Sequence, residues 1–139
     1  PASRNGLPAA DTATIRTGTS TATALTPGGV YNAWAEVTLT DAATVTPDFG
    51  AGANFYLLTT SGVGSTRQIA NPSAPKVGQT GRIRVVQDAT GSRAVTFGSN
   101  WKRAGGATTM TTTANATDII EYEVITSTYI LYDVIKNPS

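Results

Sequence analysis

From Ala35 onward the sequence is a series of short β-type runs separated by turn residues, and this pattern restricts the chain to an all-β architecture. The runs are rich in β-branched and aromatic residues, whereas the segments between them are rich in Gly, Pro, Asn and Asp. Because seven runs suffice for two packed sheets, we predict a β-sandwich of jelly-roll type. The predicted strands are Ala35–Thr40, Asn54–Thr60, Thr66–Ala70, Gly81–Asp88, Arg93–Gly98, Asp118–Thr126 and Tyr129–Ile135.

Two connections between these runs are short enough to form hairpins. In the first, Asp88–Gly91 reverses the chain, and its glycine supplies the positive φ that such turns commonly require. In the second, Thr126–Thr128 joins the last two runs. No internal repeat of about 20–50 residues is visible, so an elongated β-helix is not expected.

Residues 1–34 differ from the rest of the chain and are predicted to form an extended N-terminal arm ahead of a head module over 35–139. One short helix is expected in the arm, because Thr26 can cap it and Pro27 suits its first position. The arm also carries widely spaced apolar side chains, namely Ile15, Leu25, Val30, Tyr31 and Trp34.

These apolar residues of the arm are too few to pack against one another and need another surface. They lie across their own sandwich, or against copies from neighbouring chains around a symmetry axis, or in a disordered arm, which the tryptophan argues against. We predict the second arrangement, in which these five residues form an oligomer interface.

The composition excludes several classes of function. Charged residues make up 14% of the chain and its net charge is +1, so no field attracts nucleic acid or anionic lipid. The chain has neither cysteine nor histidine, which removes disulfides, Ser/His and Cys/His nucleophilic sites and the usual zinc sites. No apolar run is long enough to cross a membrane, so insertion into one is not expected.

The Gly-rich loop Gly98–Gly106 carries the combination of side chains that suits a sugar site. Trp101 can stack on a pyranose ring, while Asn100, Lys102 and Arg103 can bond hydroxyls or an acidic substituent. In the alternative, Trp101 packs under the loop as part of the core, and the two cations are solvated.

Basic residues on two predicted neighbouring strands offer a second candidate patch. Arg82 and Arg84 share one strand face, and Arg93 is expected on the partner strand of the hairpin. They either form a patch for phosphate or acidic polysaccharide or keep an exposed sheet face soluble.

The acidic residues give little reason to expect an enzyme. Glu121 and Glu123 are two apart on a strand, which sets their Cα atoms ~6.5 Å apart and is compatible with glycosidase chemistry. Alternating acids on the wetter face of a hairpin are common, however, so no catalytic residue is predicted. The aspartates are interpreted as turn residues without calcium-loop spacing, so no metal or cofactor is expected: Asp41, Asp48, Asp88 and Asp118.

Three phrases of the sequence resemble fibre and spike proteins of tailed bacteriophages. They are "AADTATIRTGTSTATALTPGGVYNAW", "VGQTGRIRVVQDATGSRAVTFGSNWKRAGG" and "TTTANATDIIEYEVI". The first is similar to connectors that join a fibre shaft to its next module, and the others to small β-sandwich modules that end fibres. The resemblance implies a homotrimer displayed on the virion, bound to other virion proteins, whose outer module contacts a host-surface polysaccharide. The alternative is a purely structural virion part, such as a capsid-decorating or collar protein.

Overall fold

The computed structural model describes residues 10, 15, 26–105 and 109–137. These residues contain a helix, α1 (Pro27–Ala33), a 3-10 turn (Ser61–Val63) and nine strands. The strands are β1 (Glu36–Thr38), β2 (Thr44–Val45), β3 (Asn54–Leu58), β4 (Thr66–Ile69), β5 (Thr80–Val86), β6 (Ala94–Phe97), β7 (Trp101–Arg103), β8 (Thr117–Thr126) and β9 (Tyr129–Ile135).

The strands form a β-solenoid of about three coils, so the predicted jelly-roll sandwich is wrong. From β1 to β6 the chain alternates between two sheets. Each of these strands pairs in parallel with the strand that lies one coil later. The six-stranded sheet has the order β1-β3-β5-β8-β9-β7, and the three-stranded sheet has the order β2-β4-β6. All seven predicted strands are present, but they are connected as successive coils of a solenoid and not as the strands of a sandwich.

The coils have unequal lengths, which explains why no repeat is visible in the sequence. Val37 stands opposite Phe55, and Phe55 stands opposite Ile83, although far more residues separate the second pair. The additional residues of the longer coil lie in the corners between strands, so the stacked strands stay in register. The sequence therefore lacks the fixed period that usually indicates a solenoid.

One consequence is that the first predicted hairpin is wrong. β5 and β6 belong to different sheets, and the segment between them is a corner of the solenoid. Gly91 does adopt a positive φ of 67° there, and its amide donates to Asp88 Oδ1 at 2.8 Å. The expected turn chemistry is thus present, but the turn leads into the other sheet.

The second predicted hairpin is confirmed and extends the six-stranded sheet. β8 pairs antiparallel with both β5 and β9, and Tyr129 stands opposite Thr126 at the turn. Along β8, Tyr122 and Val124 are buried whereas Glu121 and Glu123 are exposed, which matches the predicted core face and wetter face.

The core consists of apolar rows that run from coil to coil, perpendicular to the strands. One row on the six-stranded sheet is Val37, Phe55, Ile83, Ile120 and Val134. The facing row on the three-stranded sheet is Val45, Ile69 and Phe97. Full burial of such a side chain contributes about 1.5–3 kcal/mol, and the partly buried Val37, Phe97 and Val134 contribute less, so these rows together hold the coils in place.

Close packing between adjacent coils requires glycine at position 81. Gly81 stands opposite Tyr122 in β8, and the Tyr122 hydroxyl donates to the carbonyl of Ala53 at 2.6 Å. A Cβ atom at Gly81 would lie 1.9 Å from that same carbonyl oxygen. No other residue fits there without moving the backbone of the previous coil.

A buried ion pair ties the first two coils together. Arg67 points into the solenoid, where its Nε and Nη2 donate to the two carboxylate oxygens of Asp41 at 2.9 and 2.7 Å. The guanidinium also donates to the carbonyls of Thr60 and Gly64. Burial would raise the pKa of Asp41, but hydrogen bonds from Arg67 and Thr60 outweigh it and lower that pKa.

The predicted helix is confirmed as α1. Thr26 accepts a hydrogen bond from Gly29 N at 3.0 Å, and Pro27 occupies the first turn. The helix is tied to the solenoid through Asn54, whose side-chain amide donates to the Trp34 carbonyl at 2.8 Å. The division between arm and head module stays a prediction, since most of residues 1–25 lie outside the described residues.

Candidate functional site

The structure places Trp101, the centre of the predicted sugar site, in the core. Its side chain is only 6% exposed, and Nε1 donates to the Ala70 carbonyl at 2.9 Å. Its ring is surrounded by the aromatic rings of Phe49, Phe97, Tyr122 and Tyr132 at centroid distances of 5.7–6.1 Å. The indole therefore offers no open face on which a sugar can stack.

The neighbours of Trp101 lie nearer the surface but are bonded to their own chain. Lys102 is exposed, and its Nζ donates to the Ser99 carbonyl at 2.7 Å. The Arg103 guanidinium donates to Asp133 Oδ1 at 2.9 Å. Asn100 is half-buried, and its carbonyl accepts from Ile130 N at 2.8 Å.

Of the predicted sugar site, Asn100 and Lys102 are thus accessible, whereas Trp101 is buried and cannot take part. Strand alternation explains this outcome, because residues 101 and 102 of β7 point to opposite faces of the sheet. A core tryptophan and a surface tryptophan look alike in the sequence of such a loop.

The six-stranded sheet has one surface that points away from the core, here called the outer face. Charged side chains near this loop lie on it. Strand register aligns one row of it across five strands, from β1 to β9. The row consists of Glu36, Asn54, Arg82, Glu121 and Asp133. Hydrogen bonds from the Val134 amide and from Arg103 lower the pKa of Asp133.

The predicted arginine patch is not assembled. Arg84 pairs with Glu36 at 2.6 Å and lies over the ring of Tyr56, 4.2 Å from its centroid. Arg93 lies in the corner before the other sheet, where it pairs with Asp88 at 3.3 Å. The predicted hairpin places it beside Arg82 and Arg84, and that hairpin is absent because β5 and β6 lie in different sheets.

The two glutamates singled out for acid chemistry lie on the outer face. Glu121 stands opposite Arg82, and Glu123 stands opposite Thr80. Both line a shallow groove of about 250 Å³ with Tyr132 and Asp133. Within the described ranges, no three His, Cys, Asp or Glu side chains are grouped so that they could hold a metal ion.

Helix α1 exposes the apolar residues that were predicted to contact other copies. Tyr31 is 77% exposed and Trp34 58% exposed, and Val30 is exposed beside them. Ile15 is half-buried against the helix: a Cβ built at Gly29 would meet its side chain at 2.8 Å. Leu25 lies outside the described residues.

A groove of about 320 Å³ opens next to the helix. Its lining combines apolar and polar side chains, among them Ile15, Trp34, Lys76 and Val77. Sequence reasoning missed Val77, which is 73% exposed although it lies in a segment of turn residues. The sequence signal that could have identified it is a single apolar residue, placed between Lys76 and Gly78 in an otherwise polar turn segment.

In the part of the chain that the structure describes, no helix is long and apolar enough to cross a membrane. A sequence model of one protein family matches residues 25–126, which is more than half of the chain. That family is described as "Putative phage tail fibre C-terminal domain". No curated protein and no solved structure matches the chain. The match confirms the resemblance to phage fibres: the chain belongs to the phage tail fibre C-terminal domain family and is a component of the virion.

Proposed function

We propose that this domain is a trimeric module of a phage tail fibre that attaches the virion to a glycan on the bacterial surface without chemical change. The observation that carries the proposal, together with the family, is the exposure of Tyr31 on α1 and of Trp34 directly after it. A monomer rarely leaves such a cluster of large apolar side chains in water. Covering it with further copies of the chain removes that cost.

Trimerisation makes weak sugar sites sufficient for attachment. A site with millimolar affinity contributes only about −4 kcal/mol. Linked sites that bind together strengthen attachment by a factor of about 10²–10⁴. Each protomer therefore needs only a shallow, polar site.

The outer face next to β7 suits such a site better than the buried Trp101 does. Lys102 and Asn100 supply donors there, while Glu123 and Asp133 supply carboxylate acceptors within the same region. Sugar hydroxyls both donate and accept hydrogen bonds, so they match a surface of mixed charge. A rigid sheet also holds these side chains in position before the ligand arrives.

The test has two parts. Light scattering of the purified chain at micromolar concentration gives the mass, and a fluorescently labelled sample is applied to an array of bacterial surface polysaccharides. We expect a trimer that binds a subset of the glycans, and Glu123→Gln together with Lys102→Ala should weaken that binding at least tenfold. Arg93→Ala, in the other sheet's corner, is the matched control and should leave it unchanged. A monomer, or a trimer whose binding ignores both outer-face changes, contradicts the proposal.

A purely structural fibre domain is the second candidate, and the burial of Trp101 favours it. Without an exposed aromatic in the loop, and with Lys102 and Arg103 bonded to their own chain, the loop resembles a packed strand connection. A trimer that binds no glycan on the array and no bacterial cell would select this alternative.

A further inference from the structure

The large apolar side chains that the described residues expose are not scattered over the surface. Eight are exposed, and six of them lie at one corner of the solenoid. Leu58 and Ile135 lie at the opposite corner, at the far ends of β3 and β9. The six, here called the corner ridge, are Val30, Tyr31, Trp34, Val77, Ile125 and Tyr129.

Strand direction explains why residues so distant in sequence share this corner. Trp34 lies two residues before the start of β1, and Val77 lies three residues before the start of β5. β8 runs the opposite way, so its end returns to the same corner: Gly78 N donates to the Val124 carbonyl at 2.8 Å, next to Ile125. The turn after β8 then places Tyr129 at the start of β9.

The corner ridge runs across the strands, parallel to the solenoid axis. It reaches from β1 to β9, which are four strand spacings apart in the six-stranded sheet. At about 4.8 Å per spacing, its length is roughly 19 Å, before α1 is added at one end. A long, straight apolar seam along the axis is the shape that parallel copies bury when they lie side by side.

The area of the ridge is large enough for a contact between proteins. A fully exposed aromatic side chain presents about 150–250 Å², so the three rings of the ridge leave about 350 Å² uncovered, and the three aliphatic side chains add to it. Monomers rarely expose a contiguous apolar patch above a few hundred Å². A standard protein interface buries about 800 Å² on each partner, much of it polar rim.

The chemistry of the ridge favours protein over sugar as its occupant. Half of its members are aliphatic, and the stretches 30–35 and 124–130 contain no charged residue. Interface cores are depleted in charge and enriched in aromatic residues in the same way. Sugar sites instead need hydrogen-bonding side chains around the aromatic ring.

We propose that the corner ridge is the surface at which copies of this chain meet, so that the head module itself, and not only the N-terminal arm, forms the trimer. This inference rests on the proposed trimeric function. Each copy lays its ridge beside that of its neighbour, with the solenoid axes parallel to the axis of the fibre. The outer face beyond the ridge stays exposed for the host.

The test compares equally exposed residues at the two corners. Ile125→Asp and Val77→Asp place a charge within the ridge, whereas Leu58→Asp places one at the opposite corner, where Leu58 is 41% exposed against 39% for Ile125. We expect both ridge variants to be monomers by light scattering at micromolar concentration, and Leu58→Asp to remain a trimer. Circular dichroism checks that all three keep the β-spectrum of the wild type.

Cross-linking gives a second measurement that does not depend on destabilising the assembly. The chain has no cysteine, so Val77→Cys and Leu58→Cys each carry a single thiol. A short bis-maleimide should link copies of Val77→Cys and leave copies of Leu58→Cys unlinked.

The outcomes separate this inference from the proposed function. If the wild type is a trimer, and the ridge variants stay trimeric and do not cross-link, the inference is overturned while the trimeric function stands. If they stay trimeric but lose glycan binding, the ridge is a sugar surface and the inference is equally overturned. If the wild type is a monomer, both proposals fail.

Discussion

Replacing Asp41 with alanine removes the carboxylate that is paired with a guanidinium that has no access to water. The side chain of Arg67 is fully buried, and that of Asp41 is 7% exposed. Four hydrogen bonds are lost with the carboxylate: two from Arg67 and two from Thr60, whose N and Oγ1 lie 2.7 and 2.8 Å from Oδ2. The arginine would remain charged and buried.

Breaking a buried ion pair by removing one partner costs about 3–5 kcal/mol, because the remaining charge is left uncompensated. In a chain of this size such a loss lowers Tm by about 10–20 °C. Changing Arg67→Met as well removes the stranded charge. The double variant should therefore recover part of the stability that Asp41→Ala loses.

Urea unfolding at pH 7, followed by circular dichroism, measures these free energies. Glu36→Ala is the control, because it breaks the half-exposed pair with Arg84 and should cost no more than about 1 kcal/mol. If Asp41→Ala unfolds within about 1 kcal/mol of the wild type, Arg67 is not the buried, paired residue that holds the coils together.

Three further changes test other parts of the structure. Folding lowers the pKa of Asp41. Its contribution to the free energy of unfolding is therefore present above the unfolded pKa of about 3.9 and is lost as the pH falls through the folded pKa. Urea titrations between pH 6 and 2 should show the stability of the wild type falling more steeply than that of Asp41→Ala. Gly81→Ala should cost more than about 3 kcal/mol in the same assay because its Cβ meets the previous coil, whereas Gly62→Ala, with open space around it, should change stability little. Trp101→Ala should cost about 3–5 kcal/mol, and Trp101→Phe, which keeps an apolar ring in the core, should cost less; a Trp101→Ala variant as stable as the wild type would contradict the burial of the indole.

Local structure could be predicted from this sequence because local patterns determine it. Thr26 and Pro27 indicated the start of α1, and the alternation along β8 indicated which side chains are buried. These signals act within a few residues of one another. The two strands that were missed are only two and three residues long, too short for any alternation to show.

The winding of the chain could not be predicted, because it depends on partners distant in sequence. The stretch Asp88–Gly91 has the composition of a hairpin turn, and only the parallel pairing of β6 with β4 shows that it is a corner. The sequence did not indicate the buried ion pair of Arg67 either. An arginine in an alternating strand is ordinarily assigned to the solvent side, and its partner Asp41 resembles any turn aspartate.

The candidate site shows the same limit. The loop around Trp101 has the composition of a sugar site, but which way the indole points depends on the register of β7 with β9. That Tyr31 and Trp34 need another surface was predicted from the sequence. The contribution of Val77, Ile125 and Tyr129 to the same corner required the three-dimensional path.

The unequal coils have a practical meaning for how such a domain can change. Register in the stacked strands is set by pairing and by the inward rows, so the 3-10 turn Ser61–Val63 between β3 and β4 does not determine it. Segments of foreign sequence grafted at Ser61–Val63 should leave the scaffold intact as long as Thr60 and Gly64 are kept, since their carbonyls accept from the buried Arg67. The fold thus separates a frame that sets the register from an exposed turn that does not, so this turn can vary in sequence while the frame keeps its architecture.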